Sequence, residues 1–258
     1  MMLSTSQSRY LNNASRIDQV PVTFATVRRQ YDFKSIEIGR WVQPAERDRA
    51  AVRFDQALAD LMQTLQGNET LISLRGHLGL QYGIGGRPGV AAHYLPVSRK
   101  LALAKNAGAG SLAHEWFHAL DHYLATMAFK TNSPSKFASD CWLNNVTPIL
   151  HPINERLHQV FKSIFLNTSD DQASELFLNS KKADLSLGTL YYARPEEMAA
   201  RAFEAFVEDT GPQNAFLVRG SRNSEEAKAG LYPSGKQREA INAAFDEYFS
   251  ALGQALRH

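Results

Sequence analysis

Two histidines and a glutamate stand close together in the stretch GAGSLAHEWFHALDHYLATMAF, at positions 108–129. An α-helix turns about 100° and rises about 1.5 Å per residue, so His114 and His118 project from one face about 6 Å apart. Imidazole nitrogens at that spacing can bind one Zn²⁺. Glu115 lies roughly another 100° round the helix, where its carboxylate can take a proton from an attacking water. The motif predicts a zinc-dependent hydrolase, and two helix-surface histidines without a metal are the alternative.

The third ligand has to come from elsewhere in the chain, because a catalytic zinc usually takes three protein ligands. One class of zinc enzymes places a further histidine six residues after the second, but Leu124 occupies that position here. A carboxylate on a second helix is the other route. The stretch LYYARPEEMAARAFEAFVED predicts such a helix, with Pro195 at its start and Glu197 and Glu204 on one face.

Other elements must position these helices. Apolar residues recur at helical spacing over residues 51–65, and Gly67 predicts the end of that helix. Two β-forming runs, at 90–97 and 100–105, predict a small sheet that leads into the histidine helix. Another helix is expected around INERLHQVFKSIFL, inside a long segment at about 130–188 between the two ligand helices. Residues 1–40 suggest no more than short strands, for example at VPVTFATV.

The composition limits which classes of protein and which partners the chain can have. The chain has 258 residues, 44% of them hydrophobic, and can bury a sizeable core. Its formal net charge of +2 does not favour nucleic acid or an anionic membrane as a partner. A single cysteine, Cys141, cannot form an internal disulfide, and its expected role is that of a small buried residue. The amino terminus has no apolar signal core, so we expect a cytoplasmic protein without a membrane partner.

Two features between residues 69 and 115 invite other interpretations. The glycines of GIGGRPG suggest a phosphate loop, but Pro88 stands where a dinucleotide fingerprint needs glycine and no Gly-Lys-Ser/Thr follows, so a glycine-rich turn is expected. No carboxylate occurs between Glu69 and Glu115, whereas basic residues do. That stretch could line a groove for an acidic partner, and a solvated rim is the alternative.

The sequence suggests possible roles for three further residues near the motif. Asp121 could accept a hydrogen bond from a ligand histidine or pair with Arg201. His122 is too far along the helix from His114 to share its metal. His93, on a predicted strand, could line a cleft or be a structural histidine.

The combination HEWFHALDHY followed by EMAARAF resembles the glutamate-type zincins (gluzincins), in particular the lethal-factor-like metallopeptidases. The motifs GAGSLAHEW and YPSGKQREAINAAFDEYF are similar to those of metallopeptidase-like domains of large polyvalent phage and plasmid proteins and of bacterial CLCA-X proteins. The resemblance covers roughly residues 70–130 and 188–250.

The resemblance implies a role for each matching residue. His114, His118 and Glu197 match the zinc ligands, with Glu196 as the rival for the third position, and Glu115 matches the general base. Tyr191 or Tyr192 stands near the place of a tyrosine that stabilises the oxyanion, and an aromatic pair anchoring a loop is the alternative.

The expected fold is α+β and zincin-like, with a small mixed sheet packed on the histidine helix and a second ligand-bearing helix. The expected division is an arm and helix at 1–66 and a metallopeptidase domain at 67–258, whose insertion at about 130–188 could determine substrate choice. The expected function is zinc-dependent hydrolysis of a peptide or protein substrate. A non-catalytic zinc-stabilised domain that binds a peptide or a complex is the main alternative, and a nucleic-acid-associated module using the basic stretch is another.

Overall fold

The computed structural model describes residues 21–84, 92–104, 110–167, 169 and 172–257. In this part of the chain the helices are α1 (Phe24–Tyr31), α2 (Pro44–Thr64), α3 (Glu69–Ile72), α4 (Leu112–Ala128), α5 (Ala138–Leu143), α6 (Pro152–Phe165), α7 (Glu175–Leu187), α8 (Pro195–Thr210), α9 (Glu225–Lys228) and α10 (Gly235–Ala255). The strands are β1 (Ile36–Ile38), β2 (Gly79–Tyr82), β3 (Ala92–Leu95) and β4 (Lys100–Leu103). This content confirms the predicted α+β class. The zincin-like arrangement stays a prediction.

The four described strands form one mixed sheet in the order β1-β2-β4-β3. Strands β1, β2 and β4 run parallel, whereas β3 runs antiparallel to β4, with His93 opposite Ala102. Strand β3 is therefore the edge strand on the side where α4 packs against the sheet. The predicted sheet is confirmed for the parts of 90–97 and 100–105 that the structure describes, and β1 and β2 extend it.

Helix α4 lies in the middle of the molecule. Most of its residues are buried, including Leu112, Phe117 and Leu120, because it is covered by β3 and β4, α5 and α8. Its aromatic side chains meet those of α8 and α10: the rings of Phe117 and Phe203 stack at 4.8 Å, and Phe203 meets Phe245 edge-on at 5.6 Å. This aromatic layer fixes α4 against α8, the two helices that carry the predicted ligands.

The first described segment is a helix where the sequence suggested a short strand at VPVTFATV, so the expectation was wrong there, whereas β1 is a short strand within residues 1–40. Thr23 forms a capping box with Thr26, in which each side chain accepts a hydrogen bond from the backbone N–H of the other residue. The helix ends at Asp32, which adopts the left-handed conformation. Local capping and burial of Phe24, Val27 and Tyr31 therefore override the β-forming composition of this run.

The segment between the ligand helices contributes to the main core. Helix α6 packs along α10 and buries Leu157, Phe161 and Ile164. Nearer to α4, the ring of Phe137 lies 6.0 Å from that of His118. The hypothesis that residues 130–188 determine substrate choice stays a prediction.

A buried ion pair ties α8 to α10. The Arg238 guanidinium donates two hydrogen bonds to the Asp209 carboxylate, both 2.7 Å long, and further bonds to the Ser221 carbonyl and hydroxyl. Although burial opposes ionisation of Asp209, these donors lower the pKa of its carboxyl.

The GIGGRPG turn predicted from its glycines occupies residues 83–89, of which 85–89 lie outside the described residues, as do Arg87 and Lys105 of the basic stretch.

Candidate metal centre

The two histidines of the motif face each other on α4 as their spacing predicts. Their Nε2 atoms lie 3.0 Å apart, and the ring centroids are separated by 4.7 Å. The start of α4 is held by the loop after α8, because the Ala113 N–H donates to the Leu217 carbonyl and the Gly110 N–H to the Phe216 carbonyl. This loop therefore fixes where His114 lies along the helix axis.

Glu197 meets both histidines from the first turn of α8. Its Oε2 lies 3.3 Å from His114 Nε2, and its Oε1 lies 3.5 Å from His118 Nε2. Although burial opposes its ionisation, the two imidazoles lower the pKa of the Glu197 carboxyl. Glu196, the rival at this position, interacts electrostatically with Asp121 and Lys136 instead. The structure thus brings together His114, His118 and Glu197, and their ligand atoms all lie within 4.8 Å of one another.

The three donors fit the dimensions of a zinc site. Ligand atoms on a tetrahedral zinc, at about 2.0–2.1 Å from the metal, are separated from one another by about 3.3 Å. The two Nε2 atoms are 3.0 Å apart, and each lies 3.3 or 3.5 Å from a different carboxylate oxygen of Glu197. Glu197 Oε2 is buried without a hydrogen-bond partner among the described residues, even though a histidine nitrogen is close to it. Two neutral imidazoles with one carboxylate are a donor set that suits Zn²⁺.

Glu204 contacts the second ring nitrogen of His114, Nδ1, and Tyr232 in turn contacts Glu204. Glu204 Oε2 lies 3.0 Å from His114 Nδ1 and accepts a hydrogen bond of 3.0 Å from the Tyr232 hydroxyl. A carboxylate at Nδ1 favours the tautomer with its proton there, which leaves the Nε2 lone pair free to bind a metal. Although burial opposes protonation, the nearby carboxylates raise the pKa of the metal-free His114 ring.

His118 has no matching support from Asp121. Its Nδ1 is buried without a hydrogen-bond partner among the described residues. The Asp121 carboxylate instead accepts hydrogen bonds from the backbone N–H and the hydroxyl of Ser139, at 2.8 and 2.5 Å. Neither role considered for Asp121, a bond to a ligand histidine or a pair with Arg201, is formed. Burial raises the pKa of Asp121 to about 7, although the Ser139 donors oppose the shift.

Glu115 is largely buried, at the edge of the histidine pair. Its charge raises the pKa of both the His114 ring and the Tyr191 hydroxyl, so Glu115 interacts electrostatically with both groups. Among the described residues, none donates a hydrogen bond to its carboxylate, whose two oxygens can only accept while it is ionised.

Of the two candidate tyrosines, the structure brings Tyr191 to the cluster. Burial and the neighbouring carboxylates of Glu197 and Glu115 raise the pKa of its hydroxyl, so the phenol stays protonated and can donate. Tyr192 contacts Arg201 instead: its carbonyl accepts from the guanidinium, whose carbon lies 5.6 Å from its ring centroid. Arg201 also donates to the Glu197 carbonyl and thereby braces the first turn of α8.

Asp184, at the end of α7, fixes the turn that carries the tyrosines. Its carboxylate accepts hydrogen bonds from the N–H groups of Tyr191, Tyr192 and Ala193, at 3.0, 2.8 and 2.8 Å. Although burial opposes ionisation, these donors lower the pKa of Asp184. Sequence reasoning missed both Asp184 and Tyr232, because each acts across a turn or between helices. The only signal was the YPSGKQREA motif, which contains Tyr232 without indicating its partner.

The remaining candidates lie outside the cluster. His122 is held between the Tyr94 hydroxyl and the Pro134 carbonyl, each at 2.8 Å, so it joins the edge strand to the loop after α4. His93 lies on that edge strand, β3. Cys141 is fully buried, as expected, and burial raises the pKa of its thiol.

Comparison with known proteins gives one match. Residues 183–256 match the family model described as large polyvalent protein-associated domain 1. This confirms the resemblance to large polyvalent proteins for that segment, whereas the metallopeptidase part stays a prediction. No curated protein and no solved structure matches the chain. Among the described helices there is none with the length and apolar character needed to span a bilayer.

The matched segment contributes one half of the candidate site. It contains Asp184, Tyr191, Glu197, Glu204 and Tyr232, whereas both histidines and Glu115 lie on α4, ahead of it.

Proposed function

We propose that this protein is a zinc-dependent metallopeptidase that hydrolyses a peptide bond in a peptide or protein substrate. The observation that carries the proposal is the convergence of His114, His118 and Glu197 from two helices, with separations close to those of a tetrahedral zinc site. The second half of the argument is the pair of side chains beside them, Glu115 and Tyr191, which have the chemistry that amide hydrolysis needs.

His114, His118 and Glu197 would hold the ion. When bound, zinc supplies Lewis acidity, which polarises a carbonyl and makes water more acidic. The two histidine Nε2 atoms would bind it through their lone pairs, so each ring must carry its remaining proton on Nδ1. Glu204 already favours that tautomer in His114.

Glu115 would act as the general base and then as the general acid. It takes the proton of the water that attacks the scissile carbonyl, and later delivers it to the leaving nitrogen as the C–N bond breaks. A carboxylate without a donor of its own can accept that proton, and Glu115 has no such donor among the described residues. Tyr191 would donate a hydrogen bond to the oxygen that becomes negative as the tetrahedral intermediate forms.

The test begins with the metal. The protein, purified without a metal-affinity tag, should contain about one zinc ion per chain when its metal content is measured by inductively coupled plasma mass spectrometry. The zinc-loaded protein should cleave unfolded casein into peptides. Glu115→Gln should keep its zinc, but its rate of casein cleavage should be at least about 100-fold lower. A Glu115→Gln variant as active as wild type would refute the proposed base.

Two control substitutions distinguish the proposed third ligand, Glu197, from the adjacent Glu196. Glu197→Gln should lose zinc, whereas Glu196→Gln should keep it. Zinc binding without cleavage of any peptide by the wild type would refute the enzyme and support a zinc-stabilised binding domain instead.

A further inference from the structure

Two arginines of the basic stretch that follows α3 have no ion-pair partner in the described part of the chain. Lys100 of that stretch pairs with Glu37 at 2.6 Å, whereas no described carboxylate pairs with Arg75 or Arg99. Both arginines are exposed. Their positive charges are therefore available to a molecule that approaches from outside.

Arg99 lies in the turn between β3 and β4 and lines a cavity of about 160 Å³, which we call the Arg99 cavity. Other parts of its lining come from Tyr94 of β3, His122 of α4 and the loop after α4, at Ser133 and Pro134. None of the described residues that line the cavity is acidic. Sites for whole small molecules have volumes of roughly 300–1,000 Å³, so this cavity suits the end of a single side chain.

The polar groups beside Arg99 already have partners within the protein. The Tyr94 hydroxyl lies 2.8 Å from His122 Nδ1, and the Pro134 carbonyl lies 2.8 Å from His122 Nε2. Burial and the charge of Arg99 lower the pKa of His122, although the contact with the Pro134 carbonyl opposes this shift. The neutral ring donates from Nε2 to Pro134 and accepts at Nδ1 from Tyr94. An incoming group therefore meets a cavity whose positive charge comes from Arg99.

A row of ring contacts connects the Arg99 cavity with the candidate metal centre. The Phe137 ring lies 6.0 Å from the His118 ring and 5.5 Å from the His122 ring. The His122 ring in turn lies 5.7 Å from that of Tyr94. His122 is one helical turn beyond His118, which corresponds to about 6 Å along α4. An extended peptide advances about 3.3 Å per residue, so about two to four residues lead from a bond at the metal centre to the cavity.

We infer that the Arg99 cavity binds the carboxylate of an aspartate or glutamate side chain in the polypeptide substrate, about two to four residues from the scissile bond. This inference rests on the proposed function and adds the substrate class to it. The planar guanidinium of arginine can donate two parallel hydrogen bonds to a carboxylate, and such charge-assisted bonds are stronger than neutral ones. The cavity would thus select acidic sequences, while the metal centre acts on the backbone that any peptide has.

The test uses the zinc-loaded full chain and the variant Arg99→Gln, which keeps a polar side chain but removes its charge. The matched control is Arg75→Gln. Both arginines are exposed and have a left-handed backbone, with φ of 53° at Arg99 and 57° at Arg75, but Arg75 does not line the Arg99 cavity. The probes are synthetic peptides chosen from the casein cleavage products, each paired with a copy in which one glutamate near the cleaved bond is replaced by glutamine.

Wild type and Arg75→Gln should cleave the glutamate peptide at least about tenfold more efficiently, in kcat/KM, than its glutamine copy at one position. Arg99→Gln should reduce that ratio to about twofold or less and should cleave the glutamine copy as efficiently as wild type does. A ratio that is the same in Arg99→Gln as in wild type would overturn the inference. So would an equal loss in both variants, or a wild type without preference at any position.

The inference can also be tested if no peptide is cleaved. An array of overlapping synthetic casein peptides, each printed a second time with every aspartate and glutamate replaced by its amide, is probed with zinc-loaded Glu115→Gln. The same variant is then tested with Arg99→Gln or Arg75→Gln added. Binding that requires the acidic residues and Arg99, but not Arg75, would support the Arg99 cavity as a site for acidic peptides and leave only the proposed hydrolysis refuted. Equal binding of both peptide forms, or binding of neither, would overturn the inference.

Discussion

Replacing Glu204 by glutamine should weaken zinc binding without unfolding the protein. Glutamine keeps the size of the side chain but removes its charge, and it can no longer hold the His114 proton as a carboxylate does at 3.0 Å. Substitution of a group that orients a ligand histidine typically costs about 10- to 100-fold in metal affinity. We therefore expect a loss of about 1.4–2.7 kcal/mol in zinc-binding free energy.

Tyr232 provides an internal check on this magnitude, because it reaches His114 only through Glu204. Its hydroxyl donates one hydrogen bond of 3.0 Å to the carboxylate, so Tyr232→Phe should cost less than about tenfold in affinity. In the double variant the effect of Tyr232→Phe should vanish to within about 0.5 kcal/mol, because its partner is already altered.

Zinc affinity can be measured by competition with a fluorescent chelator, with circular dichroism as the control for folding. Glu196→Gln is the matched control, since it removes a neighbouring carboxylate from the same helix turn. The argument is wrong if Glu204→Gln binds zinc as tightly as wild type. It is also wrong if Tyr232→Phe weakens binding more than Glu204→Gln does.

Three further predictions concern the parts that hold the site. Arg238→Met should lower the free energy of unfolding by about 1.5–3 kcal/mol in urea titrations, because the Asp209 carboxylate loses both bonds from Arg238 but keeps those from Arg222 and Asn242; a loss under 1 kcal/mol would contradict this. Gly110→Ala should destabilise the protein and weaken zinc binding, since Gly110 has φ of 108° and an added Cβ would lie 2.9 Å from the Arg219 nitrogen; unchanged affinity would refute the link between this turn and His114. In metal-free protein the Asp121 carboxyl has its pKa raised from 3.8 to about 7, so the stability it contributes is present at low pH and is lost as pH rises through that interval. Asp121→Asn should flatten this part of the pH dependence of unfolding, and an unaltered profile would show that Asp121 does not titrate there.

Much of the helical framework could be predicted from the sequence, because it follows from local spacing. The helices that became α2, α4, α6 and α8 carry regular apolar faces, and Pro195 marks a helix start. The meeting of His114 and His118 was also predictable, since both project from one helix. Helix α1 escaped prediction because a two-threonine capping box, rather than a long apolar period, defines it.

The sequence could not decide between Glu196 and Glu197. Neighbouring helix positions differ by about 100° in direction, so the angle at which α8 docks on α4 determines which carboxylate faces the histidines. That angle depends on stacked aromatic residues such as Phe117 and Phe203, contributed by distant parts of the chain. The choice between Tyr191 and Tyr192 depends in the same way on Asp184, which orients the turn from the preceding helix.

The division of the candidate site between α4 and the matched segment has a consequence for related chains. A protein that shares only the equivalent of residues 183–256 would carry the Glu197 and Glu204 carboxylates and the tyrosine turn, but no imidazole. Such a relative could keep the packing of α8 against α10 and its buried ion pair, but it would lack the two histidines that are proposed to bind zinc. Under the proposed function, hydrolysis by a chain of this kind would depend on the counterpart of α4, which lies upstream of the segment that the family model matches.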